Sequence, residues 1–269
     1  MVCSLKRLVR GVVCLKLSLS NGIFFRRSLD ENIAEVKRLG FCNLEFNMKC
    51  VEEEDEEAVY VAKKLIDSYG LNCLTLHAAT LHVGSENEIP RAVYYGRVSA
   101  DFAYKLSAPI LVVHSNVSRT VPENLRNKFL KLIFKELVPY AKNLNVELAL
   151  ENLSYASSGY GKNVAELEEI LGIVDEDGTM GVNLDFCHAE ASGQTSNLLE
   201  KYHERLRNIH MSNRAHKPYN TETPSLNDFL TKLQEYEYNG PLTMELNPRC
   251  TIEEILKTKM ILEKILNKN

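Results

Sequence analysis

Seven short apolar runs in this chain end in a carboxylate or an imidazole. Glu45 closes Asn43-Leu-Glu45, His77 follows Leu74-Thr-Leu76, His114 follows Leu111-Val-Val113, and Glu151 with Asn152 follows Leu148-Ala-Leu150. Asp185 follows Val182-Asn-Leu184 with His188 three residues on, His210 follows Asn208-Ile209, and Glu245 follows Leu242-Thr-Met244. Any one of these alone reads as an ordinary rim or core residue. Their recurrence at the same point of seven segments does not, because ionisable side chains are rarely buried without partners. Gathered in one place, Glu151, Asp185 and Glu245 would repel one another unless a cation sat between them. Carboxylate and imidazole donors without thiolate suit Mn²⁺ or Zn²⁺, and also Co²⁺, Mg²⁺ or Fe²⁺. The tightest expected metal set is Glu151, Asp185, His210 and Glu245, from four consecutive runs. Cys187, between Asp185 and His188, is expected to point away and pack.

Something must bring those ends together. The runs are Val12–Leu19, Phe41–Phe46, Asn72–His77, Ile110–His114, Val146–Glu151, Met180–Asp185, Arg207–His210 and Leu242–Glu245. Most are continuously apolar, as parallel strands buried on both faces are. Amphipathic stretches separate them. Ser28 with Glu31, Asn163 with Glu166 and Thr251 with Glu254 fit a cap residue followed three later by an acid. Pro122 suits a first helical turn, Gly40 and Gly70 suit helix stops, and Pro139 should kink or shorten a helix over residues 122–144. Eight strand–helix units without a linker in 269 residues predict an α/β fold, a single (β/α)8 TIM barrel spanning residues 1–269. Such a barrel converges the carboxyl ends of its strands on one mouth, so Glu45, His77, His114, Glu151, Asp185, His188, His210 and Glu245 should surround one cavity. An open doubly wound sheet would need a phosphate-binding glycine fingerprint, and neither GxGxxG nor GxxxxGK[ST] occurs.

Composition narrows the function classes. With 45% hydrophobic and 25% charged residues the chain is no disordered segment, and no apolar run has membrane-spanning length. The balance of 32 basic against 36 acidic residues leaves −4, which is no footprint for non-specific nucleic-acid binding. Seven scattered cysteines without a CxxC suit a reduced, cytoplasmic setting. The N-terminus looks like a signal n-region, but Lys16 breaks the apolar stretch, and it reads as a first strand. The acidic run Glu52–Glu57 reads as the first turn of a helix.

Leu-His77, Val-His114-Ser, Leu-Glu151-Asn152, Asp185-Phe-Cys-His188-Ala, Ile-His210-Met and Met-Glu245-Leu-Asn-Pro248 together resemble the xylose-isomerase-like barrel superfamily. That superfamily includes tagatose-epimerase-like sugar isomerases and epimerases, and the endonuclease IV family of abasic-site nucleases. The epimerase branch implies one metal on Glu151, Asp185, His210 and Glu245, with Glu151 and Glu245 also the acid/base pair. It implies substrate contacts from His188 and Arg214, and His77 and Glu45 are expected beside them. The nuclease branch implies three zinc ions, with His77, His114, His188 and His216 as additional ligands. Its D-x-H pair after strand seven is here Arg214-Ala-His216, so the acid of that pair is missing.

The leading expectation is a metal-dependent sugar or sugar-phosphate isomerase or epimerase. The metal acidifies a C–H beside a carbonyl, and Glu151 and Glu245 move the proton. The second is a zinc-dependent phosphodiesterase on abasic DNA; the third is a non-catalytic barrel that binds sugar or metal. Expected partners are thus a small sugar, with DNA only under the second reading and no membrane. Arg26, Arg27, Lys162, Arg214 and Lys217 are mouth-side cations, read as surface charges or phosphate contacts. Ser154–Gly161 reads equally as a lid or a connector, Phe24 and Phe25 as exposed, and His82 and His203 as solvated.

Overall fold

The structure, a computed structural model, describes residues 15–52 and 57–267. The signal-like N-terminus, residues 12–14 of the first run and residues 53–56 of the acidic run lie outside the described residues. Eight parallel strands close in sequence order: β1 (Lys16–Ser20), β2 (Asn43–Asn47), β3 (Asn72–His77), β4 (Ile110–Val113), β5 (Glu147–Glu151), β6 (Gly181–Asp185), β7 (Leu206–Met211) and β8 (Pro241–Met244). Pairing of Leu17 with Leu242 and Leu19 with Met244 seals β1 to β8. The outer layer comprises α1 (Leu29–Arg38), α2 (Ala58–Ser68), α3 (Ile89–Leu106), α4 (Glu123–Asn143), α5 (Val164–Val174), α6 (Phe186–Ala191), α7 (Thr195–Tyr202), α8 (Pro224–Glu235) and α9 (Ile252–Leu266). The (β/α)8 barrel expected from the strand–helix alternation is thus the fold observed.

Local signals explain most boundaries. Ser28 and Glu31 form a reciprocal capping box on α1, and Thr251 and Glu254 do the same on α9. Asn163 accepts the Glu166 backbone N–H at 3.0 Å to start α5. Gly40 and Gly70 follow α1 and α2 with φ of +76° and +58°, where a side chain would be strained. Helix α2 begins only at Ala58, with Glu57 at its cap. Pro139 does not shorten α4, which runs on to Asn143. Pro139 and Lys135 both lie on the exposed face, so water can satisfy the carbonyl that the missing N–H leaves without a helical partner.

Two register shifts interrupt the strand pairing, between Leu44 and Glu45 on β2 and between Val182 and Asn183 on β6. The first sets Glu45 opposite Thr75, and the second sets Asn183 opposite Asn208 and Asp185 opposite His210. A polar layer therefore crosses the barrel interior, with Glu45, Thr75, Asn183, Asn208, His210 and Thr243 all fully buried.

Candidate metal centre

The strands deliver the expected residues to one end of the barrel. His77, Glu151 and Asp185 close β3, β5 and β6, His210 is penultimate in β7, and His114 and Glu245 directly follow β4 and β8. Asp185 also caps α6: its Oδ1 accepts the His188 backbone N–H at 2.8 Å. The Asp-x-x-His spacing is thus an N-cap followed by the third helical residue, which turns His188 back over the strand end. Cys187 is buried, as expected, but on this helix and not on a strand. Asn152 fixes Asp185 from below, accepting its N–H at 2.8 Å and donating to its carbonyl at 3.0 Å.

Glu151 lies at the centre. Its Oε1 is 3.2 Å from His210 Nδ1, and its Oε2 is 3.0 Å from His114 Nε2 and 3.3 Å from His77 Nε2. Glu245 Oε2 is 3.4 Å from the same His210 Nδ1. Ligand atoms of Glu151, Asp185, His210 and Glu245 all lie within 4.8 Å of one another, as do those of His77, Glu151 and His210 and those of Asp185, His188 and His216. His216 reaches the cluster through a turn in which Ala215 and His216 both have positive φ, 60° and 53°. That costs backbone energy for non-glycine residues, and paired Asn213–Lys217 backbone bonds at 2.9 and 3.2 Å hold it.

Charge and burial compete throughout. Burial lowers an imidazole pKa and raises a carboxyl pKa. At His210 burial is outweighed by Glu45, Glu245 and Glu151, which hold the ring well above its ordinary value. His77 and His216 are likewise raised against burial by their carboxylate neighbours, whereas burial wins at His114 and lowers it. Burial opposes but does not stop the fall of Glu151, which His210 and His114 hold well below the usual range. Glu245 falls to about 2 against burial, chiefly through His210 and His216. Asp185 goes the other way, raised by burial.

The donor set fits a divalent cation. Asp185 Oδ2 is buried without a hydrogen-bond partner. His188 Nδ1 donates to the Asn152 carbonyl at 2.9 Å and His216 Nδ1 to the Glu245 carbonyl at 3.2 Å, which leaves both Nε2 lone pairs facing each other at 3.1 Å. Such an arrangement calls for a proton or a metal between them. In that group Asp185 supplies the carboxylate that Arg214 does not.

Some expected residues lie elsewhere. Of the eight residues expected to surround one cavity, only Glu245 lines the one beside the cluster; the register shift aims Glu45 into the barrel beneath His210, whose Nε2 is 2.9 Å from Glu45 Oε2. Arg214 is exposed on its turn. Arg27 pairs with Glu35 at 3.1 Å, and Lys162 is buried with its ammonium on the Tyr155 carbonyl at 2.7 Å. Phe24 packs into the core, because the short 3-10 turn after β1 folds it inward, while Phe25 stays partly exposed. His203 is half-buried and stacks on Tyr236 at 4.2 Å, so only His82 is exposed as expected. Ser154–Gly161 is pinned at its base, with the Tyr160 backbone N–H on the Val117 carbonyl at 3.0 Å and the Tyr160 hydroxyl on Glu169. A cavity of about 310 Å³ opens beside the cluster, with Glu245 and His216 on one wall and Phe25, Asn47, Lys49 and Pro248 on the others. Pro248 belongs to the Glu245-Leu-Asn-Pro248 motif without being expected on the wall, and nothing in the local sequence marks Lys49.

The family model for the xylose isomerase-like TIM barrel matches residues 33–263. The chain belongs to that family. Among solved structures, it superposes on a D-tagatose 3-epimerase-like protein with a TM-score of 0.79 at 21% identity, over 94% of this chain and 98% of the other. It superposes on a D-allulose 3-epimerase from Methylomonas sp. in complex with D-allulose with a TM-score of 0.77 at 16% identity, over 95% and 98%. At these identities the superpositions show a shared fold for this family member. The chain matches half the length or less of its curated relatives. An uncharacterised protein of Methanocaldococcus jannaschii is 27% identical over 140 residues, 47% of this chain and 50% of that protein. A probable endonuclease 4 of Halothermothrix orenii is 47% identical over 47 residues, 18% of this chain and 17% of that protein. Among the described residues no helix is long and apolar enough to cross a membrane.

Proposed function

We propose that this protein is a divalent-metal-dependent isomerase or epimerase of sugars or sugar phosphates, working as one barrel domain in the cytosol. The carrying observation is the Glu151–Asp185–His210–Glu245 set with Glu245 on the wall of the mouth cavity. The epimerase neighbours, one of them holding D-allulose, support the substrate class. Among the described residues Cys50, Cys73, Cys187 and Cys250 are free thiols, which agrees with a reduced compartment.

Glu151, Asp185, His210 and Glu245 would hold Mn²⁺ or Zn²⁺. When bound, such an ion supplies Lewis acidity beside the reacting carbon. Glu245 and Glu151 are the proton-transfer pair, one taking a proton from carbon and the other returning one. His77 and His188 border them and orient substrate hydroxyls, and Arg214 meets hydroxyl or anionic groups at the rim. Incubation of metal-loaded protein with free and phosphorylated sugars in deuterated water tests this reading. Deuterium should appear at carbon next to the carbonyl; no exchange with any sugar overturns it.

Zinc-dependent phosphodiester cleavage at abasic DNA is the second reading. It is favoured by the two flanking groups, His77–Glu151–His210 and Asp185–His188–His216, and by the short match to a probable endonuclease 4. Elemental analysis separates the two: about one metal per chain supports the isomerase and about three zinc the nuclease.

A further inference from the structure

We propose that Glu45 is a positioning residue, which acts through His210 by fixing which of its ring nitrogens is free to ligate a cation. The inference deepens the reading of Glu151, Asp185, His210 and Glu245 as a cation site and rests on it. Glu45 stands on β2, across the barrel from β7, and is fully buried. Its Oε2 accepts from Thr75 Oγ1 at 2.9 Å and from Asn208 Nδ2 at 3.4 Å, and lies 2.9 Å from His210 Nε2. It cannot touch a molecule in the mouth, because the His210 ring lies between.

A second chain of bonds reaches the other ring nitrogen. Thr243 Oγ1 donates to Asn208 Oδ1 at 2.9 Å, and Asn208 Nδ2 donates to Asn183 Oδ1 at 2.9 Å. Asn183 therefore presents its Nδ2 to His210 Nδ1 at 3.0 Å. Nε2 donates its hydrogen to Glu45 Oε2, so Nδ1, faced by Asn183 Nδ2 at 3.0 Å and by Glu151 Oε1 at 3.2 Å, is the ring nitrogen that takes a cation once its proton is displaced. Nδ1 is also the atom that faces Glu151 and Glu245. Both side chains that grip His210 sit at the two register shifts of the barrel, Glu45 after Leu44 and Asn183 after Val182. Bulges of this kind re-aim side chains beside functional sites. The geometry is that of a carboxylate–histidine–metal arrangement, in which the outer carboxylate orients the ring and strengthens it as a ligand.

The test is Zn²⁺ and Mn²⁺ affinity by chelator competition for wild type, Glu45→Gln and Glu45→Leu, with melting curves of the metal-free proteins. Glu45→Gln keeps the volume and an acceptor oxygen, so it should disturb the fold less than Glu45→Leu. The expected result is an affinity about 10–100-fold weaker in Glu45→Gln, with the fold intact. In Zn²⁺-loaded wild type, long-range ¹H–¹⁵N spectra should show one histidine protonated at Nε2 and metallated at Nδ1, absent in His210→Gln. Unchanged metal affinity in Glu45→Gln overturns the inference, whether or not the melting temperature falls, and leaves the cation site standing. A raised KM for sugar with unchanged metal affinity returns Glu45 to substrate contact and also overturns it. Wild type that binds neither ion overturns the cation site and this inference together.

Discussion

Replacing Asp185 by Asn separates two jobs that one carboxylate performs. Oδ1 caps α6 through the His188 N–H at 2.8 Å, and Oδ2 is buried with no hydrogen-bond partner. Asn caps a helix about as well as Asp, whereas Ala costs about 1 kcal/mol. Burial outweighs the attraction of His188 and His216 and raises the Asp185 pKa, so loss of its charge removes no net stabilisation from the metal-free fold. In metal-free protein Asp185→Asn should therefore melt at or above wild type, and Asp185→Ala below it. Metal reverses the order. At a free metal concentration of 100 times Kd, binding adds about 2.7 kcal/mol to wild type. If the lost ligand weakens affinity about 100-fold, the same concentration adds only about 0.4 kcal/mol to Asp185→Asn. For a chain of this length the missing stabilisation is a shift of roughly 5–10 °C. Thermal melts with and without added Zn²⁺ or Mn²⁺ read both effects. An unchanged metal-induced shift in Asp185→Asn would refute the ligand role, and Asp185→Asn melting with Asp185→Ala in metal-free protein would refute the cap role.

Glu245→Gln should slow solvent-deuterium incorporation into the substrate by about 10²–10⁴-fold, measured by NMR of the sugar, with the barrel's circular dichroism unchanged. Because the folded pKa of Glu245 is lowered from 4.5 to about 2, its stabilising contribution is present above pH 4.5 and lost as pH falls towards 2; acid melts of Glu245→Gln should fall less steeply over that window. His77, His210 and His216 have raised pKa values, so a cation must displace protons held to higher pH than usual; metal affinity should rise with pH through and above 6.5, with protons released into weak buffer. Ala215→Gly should be neutral or stabilise by up to about 1 kcal/mol in urea titrations, since Ala215 holds a positive φ, whereas Ala215→Val should destabilise.

The strand ends were legible because a carboxylate or imidazole after an apolar run is conspicuous, and barrel geometry leaves those ends one place to go. Glu151, Asp185, His210 and Glu245 could be grouped for that reason alone. Sequence period carries no register, however, and a shift of one residue changes where a side chain points. That is why Glu45 reads as a mouth residue and lies beneath His210. His188 lies three residues past the run that ends at Asp185, and the apolar pattern gives it no element; Asp185 ends the strand by capping a helix, and the signal lies in the Asp-x-x-His spacing. Phe24 and Phe25 are indistinguishable as residue types; only the turn after β1 sends one inward. Pro139 reads as a breaker, yet α4 runs through it to Asn143, with the Lys135 carbonyl on the solvent face where water can bond it.

The buried layer under the candidate metal centre runs against stability. Glu45 accepts from three donors through one oxygen, and its Oε1 has no partner. Carboxylates taken fully out of water cost several kcal/mol before partners repay part of it, and apolar residues of like volume throughout such a layer often fold as well or better. A single substitution behaves differently. Taking away Glu45 alone strands the Thr75 hydroxyl and the His210 N–H, so the melting temperature falls whether the residue serves the fold or the ligand. Stability therefore cannot distinguish the two roles at this position. The distinction lies in what the ring does at its opposite edge, where Nδ1 faces Glu151 and Glu245, and only a measurement that reads that edge bears on it.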